Sequence, residues 1–409
     1  MNSIVFIFIT VLVDAIGFGI ILPVMPELIM KLTGEGLSQA SIYGGWLWFA
    51  YAVMQFFCAP VLGNLSDRFG RRPVILFSLL TFGIDYLIMG FAPTLFWLFV
   101  GRSIAGMAGA SFTPAYAYLA DVSPLEKRAQ NFGLIGAAFG TGFILGPAIG
   151  GLLGEMGTRA PFFAAAGLAL INFLFGLFVL PESLPQQSRR PFVLGRANPL
   201  GTLLQIRKYP SVIGLLQVLF LWQLAHQVFP STWAYYTMLK FDWSERAVGI
   251  SLAFVGTIMA FSTAGMTRLL VPRLGEQRAA LCGLLSGSAA FFGYAFASQG
   301  WMMYAFLVAW LFAGLVLPSI QGLMSRQIPA NAQGELQGGV ASLYSLTAVV
   351  GPPLMTQVFG YFSSGRARVH FPGAAFLCAA LLAIGGLVVF VRATRADSAY
   401  STAATAAPL

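Results

Sequence analysis

Long apolar runs, separated by short polar connections, are the main feature of this sequence. Hydrophobic residues make up 58% of the 409 residues, and charged residues only 9%. A soluble domain carries about 25% charged residues, so the apolar surplus must face lipid. A helix needs about 20 predominantly apolar residues to cross a bilayer, and twelve such runs can be marked in the chain. The sequence therefore predicts an all-α polytopic membrane protein.

The twelve predicted spans form two sets of six. The first set covers residues 4–28, 40–62, 73–92, 94–120, 130–153 and 160–180. The second set covers residues 211–238, 246–270, 279–298, 300–324, 335–361 and 370–391. The predicted domains are an N-terminal half at 1–180, a polar, basic cytoplasmic linker at 181–210, a C-terminal half at 211–392 and a disordered cytoplasmic tail at 393–409.

The distribution of charge predicts the orientation. The net charge is +9, and most of the 23 Lys and Arg residues fall in connections on one predicted side of the membrane. Basic residues beside membrane spans mark the cytoplasmic side, and an even number of spans places both termini there. This pattern accounts for the positive charge by topology and argues against nucleic-acid binding.

The densest charge lies between the second and third spans, in the stretch GNLSDRFGRRP from Gly63 to Pro73. It resembles the G-x-x-x-D-R-x-G-R-R loop of major facilitator superfamily transporters. The resemblance implies a gating loop whose residues here are Gly63, Asp67, Arg68, Gly70, Arg71 and Arg72. Asp121, at the cytoplasmic end of the fourth span, could pair with Arg71 or Arg72, or be an ordinary loop acid.

An internal repeat supports the same architecture. Arg68-Phe-Gly70 recurs as Arg273-Leu-Gly275, and 273 − 68 = 205; Gly146-Pro147 recurs as Gly351-Pro352, and 351 − 146 = 205. Two parallel six-helix halves with a substrate site between them near the midplane are typical of the major facilitator fold. Pro272 stands where the first copy has Asp67, so only the first copy keeps the full charged loop.

Three ionisable residues lie well inside predicted spans: Asp14, Asp85 and Arg102. A charged residue in a membrane span costs about 2.5–3.5 kcal/mol on insertion scales. By helix rise, the three lie about 15, 18 and 20 Å from the inner face, which is nearly one depth. They are predicted to form a site where a proton and a cationic substrate compete for negative charge. The alternative is a buried Asp–Arg pair that locks helices together.

The fifth span contains glycines at 142, 146 and 150, with Pro147 beside the second. Spacings of four place the glycines on one helix face, which allows close backbone approach. The run resembles the G-x-x-x-G-P-x-x-G-G pattern of exporting members of the superfamily. A plain packing face is the alternative.

No acid lies inside a span of the second half. His226 in the seventh span is flanked by Gln223 and Gln227, and the three are predicted to contact substrate. A satisfied buried histidine is the alternative. The sequence shows no nucleotide-binding motif, no nucleophile–base constellation and no metal-ligand spacing among its three cysteines. We therefore expect no enzyme, no cofactor and no bound metal, and transport driven by an ion gradient.

Beyond the superfamily, much of the chain resembles the bacterial tetracycline/proton antiporters. Matching runs include Asp85-Tyr-Leu, Gly101-Arg102, Gly154-Glu155 and Pro161-Phe162-Phe163. The resemblance implies that Asp14, Asp67, Asp85, Arg71 and Arg102 matter for transport, and that the substrate is a metal chelate. The family also uses a histidine in helix 8 and an acid in helix 9, where this chain has Met259 and Gly287.

These observations favour a proton-coupled exporter of a small organic compound of the tetracycline type. The expected setting is the bacterial cytoplasmic membrane, and the expected partners are substrate, protons and lipid, with the protein a monomer. The alternatives are an exporter of an endogenous metabolite or siderophore and a proton-coupled uptake symporter. The glycine pattern of the fifth span disfavours the symporter.

Overall fold

The computed structural model describes residues 3–109, 112–192, 208–329 and 332–405, and the regular structure in these ranges is helical throughout. The first eight helices are α1 (Ser3–Ile20), α2 (Met25–Thr33), α3 (Leu37–Phe69), α4 (Arg71–Phe91), α5 (Leu95–Gly109), α6 (Phe112–Val122), α7 (Arg128–Gly154) and α8 (Ala160–Val179). The remaining helices are α9 (Pro210–His226), α10 (Val228–Phe241), α11 (Glu245–Phe261), α12 (Thr267–Leu274), α13 (Glu276–Phe296), α14 (Gly300–Trp310), α15 (Val316–Arg326), α16 (Gln333–Ser363) and α17 (Ala374–Thr405).

Each of the twelve predicted spans coincides with one helix or with consecutive helices. Within the described ranges, nine helical stretches, some of them made of two consecutive helices, are long and apolar enough to cross a membrane. The pair α1–α2, bent by 47°, makes a tenth. The other two spans are also helical. The span at 246–270 is interrupted by a π-helical segment, Ser262–Met266, and the span at 335–361 is the continuous helix α16. The predicted all-α class with twelve spans is confirmed.

The predicted linker and tail are described only in part. Residues 193–207 of the linker lie outside the described ranges, as do residues 406–409 of the tail. Where the sequence predicted a disordered tail from residue 393, α17 continues as a helix to Thr405. Alanine, which is frequent in this segment, has the highest intrinsic helix propensity.

The 205-residue repeat recurs in the helix boundaries. Helix α4 spans Arg71–Phe91 and α13 spans Glu276–Phe296, so 276 − 71 = 205 and 296 − 91 = 205. Each helix follows a glycine with positive φ, Gly70 at 105° and Gly275 at 77°. Only glycine adopts such φ values at little cost. The two copies therefore reverse the chain in the same way.

Contacts divide the chain into two compact units. Unit 1 contains residues 1–199 and 233–256, and unit 2 contains residues 200–232 and 257–409. In unit 1, α1 packs on α7, α3 on α5, and α4 on both α5 and α8. In unit 2, α17 packs on α9 and α13, and α13 also packs on α15.

The glycine face of α7 lies directly against α1. A Cβ atom on Gly142 would come within 2.7 Å of the Leu12 carbonyl oxygen, and one on Gly146 within 2.7 Å of the Ile16 carbonyl oxygen. A Cβ atom on Gly150 would overlap the carbonyl oxygen of Ile20. The three glycines therefore bring the two backbones into direct contact, which is the close approach expected from their spacing.

We expect Gly150→Ala to lower the thermal unfolding midpoint of the purified protein by several degrees. The added methyl group has no room beside Ile20, and overpacking of this kind costs about 1–3 kcal/mol. Gly140→Ala is the matched control, because a Cβ at Gly140 in the same helix meets no atom within 4 Å. Equal midpoints for the two variants would contradict a tight α1–α7 contact.

Candidate functional site

Asp85 on α4 and Arg102 on α5 are both buried in unit 1. Asp85 has no exposed surface, and Arg102 is 4% exposed. Neither carboxylate oxygen of Asp85 has a hydrogen-bond partner among the described residues. Arg102 acts on Asp85 electrostatically. Asp85 and Arg102 therefore lie near each other, but no hydrogen bond joins the two side chains.

Two aromatic rings of α3 hold the guanidinium of Arg102. Its central carbon lies 4.6 Å from the ring centroid of Tyr51 and 5.3 Å from that of Trp48. Such cation–π contacts stabilise a cation, and do so more strongly where water is excluded. Gln55, one turn along α3, donates from its side-chain amide to the Tyr51 hydroxyl at 3.4 Å and to the carbonyl oxygen of Gly109 at 3.2 Å.

Tyrosines link the three predicted charges into one cluster. Tyr51 interacts electrostatically with Arg102, Asp14 and Asp85. Tyr86, which follows Asp85 on α4, interacts with the same three residues and with Tyr51. Asp14 on α1 is half-buried. The structure therefore brings Asp14, Asp85 and Arg102 together around two tyrosines.

Glycines make the room for these side chains. A Cβ on Gly101, the neighbour of Arg102, would lie 2.9 Å from Oδ1 of Asp85. A Cβ on Gly17, one turn after Asp14, would lie 2.8 Å from the Tyr86 hydroxyl. Larger residues at either position would push the carboxylate or the hydroxyl away.

The cluster can carry out charge exchange. Burying an ionised carboxylate without a partner is costly. A negative charge on Asp85 therefore requires a cation close by, which can be Arg102 after a small movement or a positively charged ligand. A proton bound to Asp85 removes the same requirement. Proton and cation are alternatives at this position.

The arginine-rich loop forms an ion-pair network around Arg71. Its Nη1 lies 2.5 Å from Oδ1 of Asp67, and its Nε lies 3.2 Å from Oδ2 of Asp121. Nη1 also donates to the Ser66 hydroxyl at 2.6 Å. Of the two arginines that could meet Asp121, Arg71 does so, while Arg72 donates to the carbonyl oxygen of Leu177 at 2.7 Å.

The remaining loop residues lie around this network. The carbonyl oxygen of Gly63 accepts the Ser66 hydroxyl at 2.7 Å. Arg68 is exposed, and its guanidinium carbon lies 5.0 Å from the ring centroid of Phe69. These contacts hold the last turn of α3 in place at the chain reversal.

Glu182 also binds the arginine-rich loop, although it was not among the residues predicted from the sequence. Its Oε1 accepts the backbone N–H of Arg71 at 2.8 Å, and its Oε2 accepts that of Arg72 at 3.3 Å. A carboxylate at the N-terminus of α4 is favoured by the helix dipole. A side chain at Gly70 would overlap Oε2 of Glu182. A single acid after Pro181 carries no recognisable signal in the sequence.

The three predicted residues of the second half lie in unit 2, at the junction of two consecutive helices. Helix α9 ends at His226 and α10 begins at Val228, with Gln227 between them. The His226 ring centroid lies 5.4 Å from that of Phe229 and 5.6 Å from that of Trp310. The structure therefore places Gln223, His226 and Gln227 at the junction of α9 and α10, within one span of 32 residues.

An indole fills the space beside Gly287. A Cβ on Gly287 would overlap the ring of Trp222. Trp222 is 3% exposed and stacks on Trp310 with ring centroids 5.8 Å apart and planes at 11°. The Trp222 ring thus occupies the space that a side chain at position 287 would fill. Together with Trp310 it makes this part of unit 2 an aromatic cluster.

Three comparisons relate the chain to known proteins. Residues 7–352 match the description Major Facilitator Superfamily. Tetracycline resistance protein, class C, from Escherichia coli is 41% identical over 363 residues, which are 89% of this chain and 91% of that protein. Tetracycline resistance protein, class B, from the same species is 35% identical and covers 91% of this chain and 92% of its own length.

A solved structure supports the fold. The human organic anion transporter TETRAN superposes with a TM-score of 0.69 at 24% sequence identity. The match covers 95% of this chain and 99% of that chain. At this identity the likeness concerns the fold alone.

Proposed function

Since this chain belongs to the major facilitator superfamily, we propose that it is a proton-coupled antiporter that exports a small organic compound of the tetracycline type. The main support is the cluster of Asp14, Asp85 and Arg102 in a chain whose relatives are named for tetracycline resistance. It is a multi-pass protein of the bacterial inner membrane. Both termini lie in the cytoplasm, following the positive-inside rule.

The proposed mechanism uses Asp85 as the group that exchanges proton for substrate. When a cationic substrate binds from the cytoplasm, its charge compensates the carboxylate that has released its proton. After release of the substrate outside, a proton neutralises Asp85 and allows the empty carrier to return. Tyr51 and Trp48 hold Arg102 near Asp85, where its positive charge acts on the carboxyl.

Arg71, with Asp67 and Asp121, is proposed to stabilise one state of the cytoplasmic gate. The ion pairs of Arg71 connect the end of α3, the start of α4 and the end of α6. Breaking and remaking such pairs is a common way to switch between packed arrangements.

The other parts of the proposal concern the ligand and assembly. The substrate is carried as a metal chelate, in which the metal is cargo and not a resident cofactor. No group of three or more metal-ligating side chains occurs among the described residues, and the proton gradient supplies the energy. We propose a monomer that transports its substrate without chemical change.

Uptake of tetracycline by everted membrane vesicles tests the proposal. With an acidic vesicle interior, we expect uptake that a protonophore abolishes, because the outward flow of protons drives the drug inward. Substrate-dependent proton release from the purified protein is the expected companion result.

The same assay separates the rival functions. If correctly inserted protein takes up no tetracycline but releases protons with other compounds, the exported substrate is another drug, a metabolite or a siderophore. The aromatic cluster at Trp222 is the observation that favours this alternative. Movement of drug and proton in the same direction would contradict antiport.

A further inference from the structure

Glu245 is a buried acid far from the arginine-rich loop. It begins α11, it is 8% exposed, and its Oε1 has no hydrogen-bond partner in the described part of the chain. Helix α3 connects the two regions. Its N-terminus follows α2, which lies beside Glu245. Its C-terminal end is part of the arginine-rich loop. Its 33 residues span about 50 Å at the helical rise. The two regions therefore lie on opposite sides of the membrane.

Charged residues of α2, of the segment after α7 and of α11 itself lie around the Glu245 carboxyl. Helix α2 contributes Glu27 and Lys31, which form an ion pair at 2.7 Å. Glu155, after the end of α7, faces Arg246 at 3.7 Å. The charged groups around Glu245 are thus Glu27, Lys31, Glu155 and Arg246, and Lys31 and Arg246 already have acidic partners.

Glu27 and Glu245 are close enough to interact by a side-chain hydrogen bond. Two ionised carboxylates at this range repel each other, whereas a proton on one of them lets the two carboxyls form a hydrogen bond. Burial and the charge of Glu27 raise the pKa of Glu245 to about 7 from its usual 4.5. Its position therefore favours a shared proton.

The carboxyl pair lies where α11 meets α7. A Cβ on Gly154 would overlap Oε2 of Glu245, and one on Gly151 would lie 2.7 Å from the Glu245 carbonyl oxygen. A Cβ on Gly249, one turn further along α11, would overlap the carbonyl oxygen of Pro147. The start of α11 thus lies directly on the glycine-rich end of α7, with the acid pair at its edge.

We propose that Glu27 and Glu245 form a second proton-binding site, on the outer side of the membrane, which holds α11 against α2 and α7 while the two carboxyls share a proton. Loss of the proton leaves two neighbouring negative charges, of which the one on Glu245 is buried, and α11 then separates. An acidic exterior stabilises the contact, and a neutral one weakens it.

The direction of the pH effect follows from the pKa of Glu245. Its folded value of about 7 lies above the ordinary 4.5, so the docked state binds more protons than a state in which the carboxyl is free. The stability of the contact is fully present below about pH 4.5 and is lost as the pH rises through about 7.

Infrared titration of the purified protein tests the shared proton. The carbonyl band of a protonated carboxyl should disappear with a midpoint near pH 7. The component should be missing in Glu245→Gln, and in Glu27→Gln it should titrate at a lower pH, because burial still raises the pKa of Glu245 but the negative neighbour is gone. Glu35→Gln, an exposed acid just after α2, is the matched control and should titrate like the wild type. An unchanged midpoint in Glu27→Gln would overturn the shared site. The titration reports on the carboxyl pair whether or not tetracycline is transported.

A distance measurement tests the effect on α11. Spin labels replace Met156 and Ile250, both exposed, in a variant without Cys58, Cys282 and Cys378. We expect one short distance at pH 5 and a longer component at pH 8. Glu245→Gln and Glu27→Gln should keep the short distance at both pH values, since neutral glutamine cannot repel its neighbour. A pH-dependent distance in these variants, or a constant one in the parent, would overturn the proposal.

Discussion

Asp85→Asn should reduce proton-driven drug uptake to the level of vesicles without the protein. Asparagine keeps the shape of the side chain but can neither release a proton nor carry the negative charge that attracts a cation. The measurement is initial uptake by everted vesicles at an imposed pH gradient, with the amount of protein determined in the same membranes.

Asp242→Asn provides the matched control. Asp242 is an exposed acid with a φ of 53°, and asparagine adopts this left-handed conformation as readily as aspartate. We expect this variant to transport like the wild type. Wild-type proton-driven uptake by the double variant Asp14→Asn, Asp85→Asn would contradict the assignment of the coupling site.

Arg71→Gln should impair both stability and the rate of transport. The Arg71 side chain is 10% exposed, and its loss leaves Asp67 and Asp121 without their shared cation. Removing one partner of a buried ion pair costs about 3–5 kcal/mol. We expect about 2 kcal/mol here, because the two carboxylates retain access to water. The thermal unfolding midpoint and the turnover rate are the measurements.

Arg68→Gln removes the same charge three residues earlier without breaking this network. Arg68 is exposed and contacts the ring of Phe69, so a small loss of stability is expected. Equal stability and turnover for the two variants would show that the loop acts through its total charge rather than through the pairs of Arg71. Substrate affinity at equilibrium should be unchanged in both.

The charged cluster was predictable because its members break the apolar pattern. Asp14, Asp85 and Arg102 are conspicuous in membrane spans, and helix rise alone places them at nearly one depth. Their aromatic partners were not predictable in this way. Trp48 and Tyr51 stand among many aromatic residues in the spans, and only the packing of α3 on α5 identifies the two that meet Arg102.

Long-range contacts explain the other differences. Glu182 is separated from Arg71 by more than a hundred residues, and its role as a cap of α4 depends on α8 returning to the same end of the unit. Trp222 fills the space at Gly287 from another helix. The pairing of Glu27 with Glu245 likewise joins distant parts of the chain. No local pattern reports contacts of this kind.

The matching chain reversals at Gly70 and Gly275 have a consequence for engineering. The two copies share the same backbone turn, but where the first has Asp67 the second has Pro272. The turn therefore does not depend on the acid. Because Asp14, Asp85 and Arg102 all lie in the first half, substitutions in the second half can change which compounds bind without touching these three residues. A protein organised in this way can be given a new substrate while the proton gradient remains its driving force.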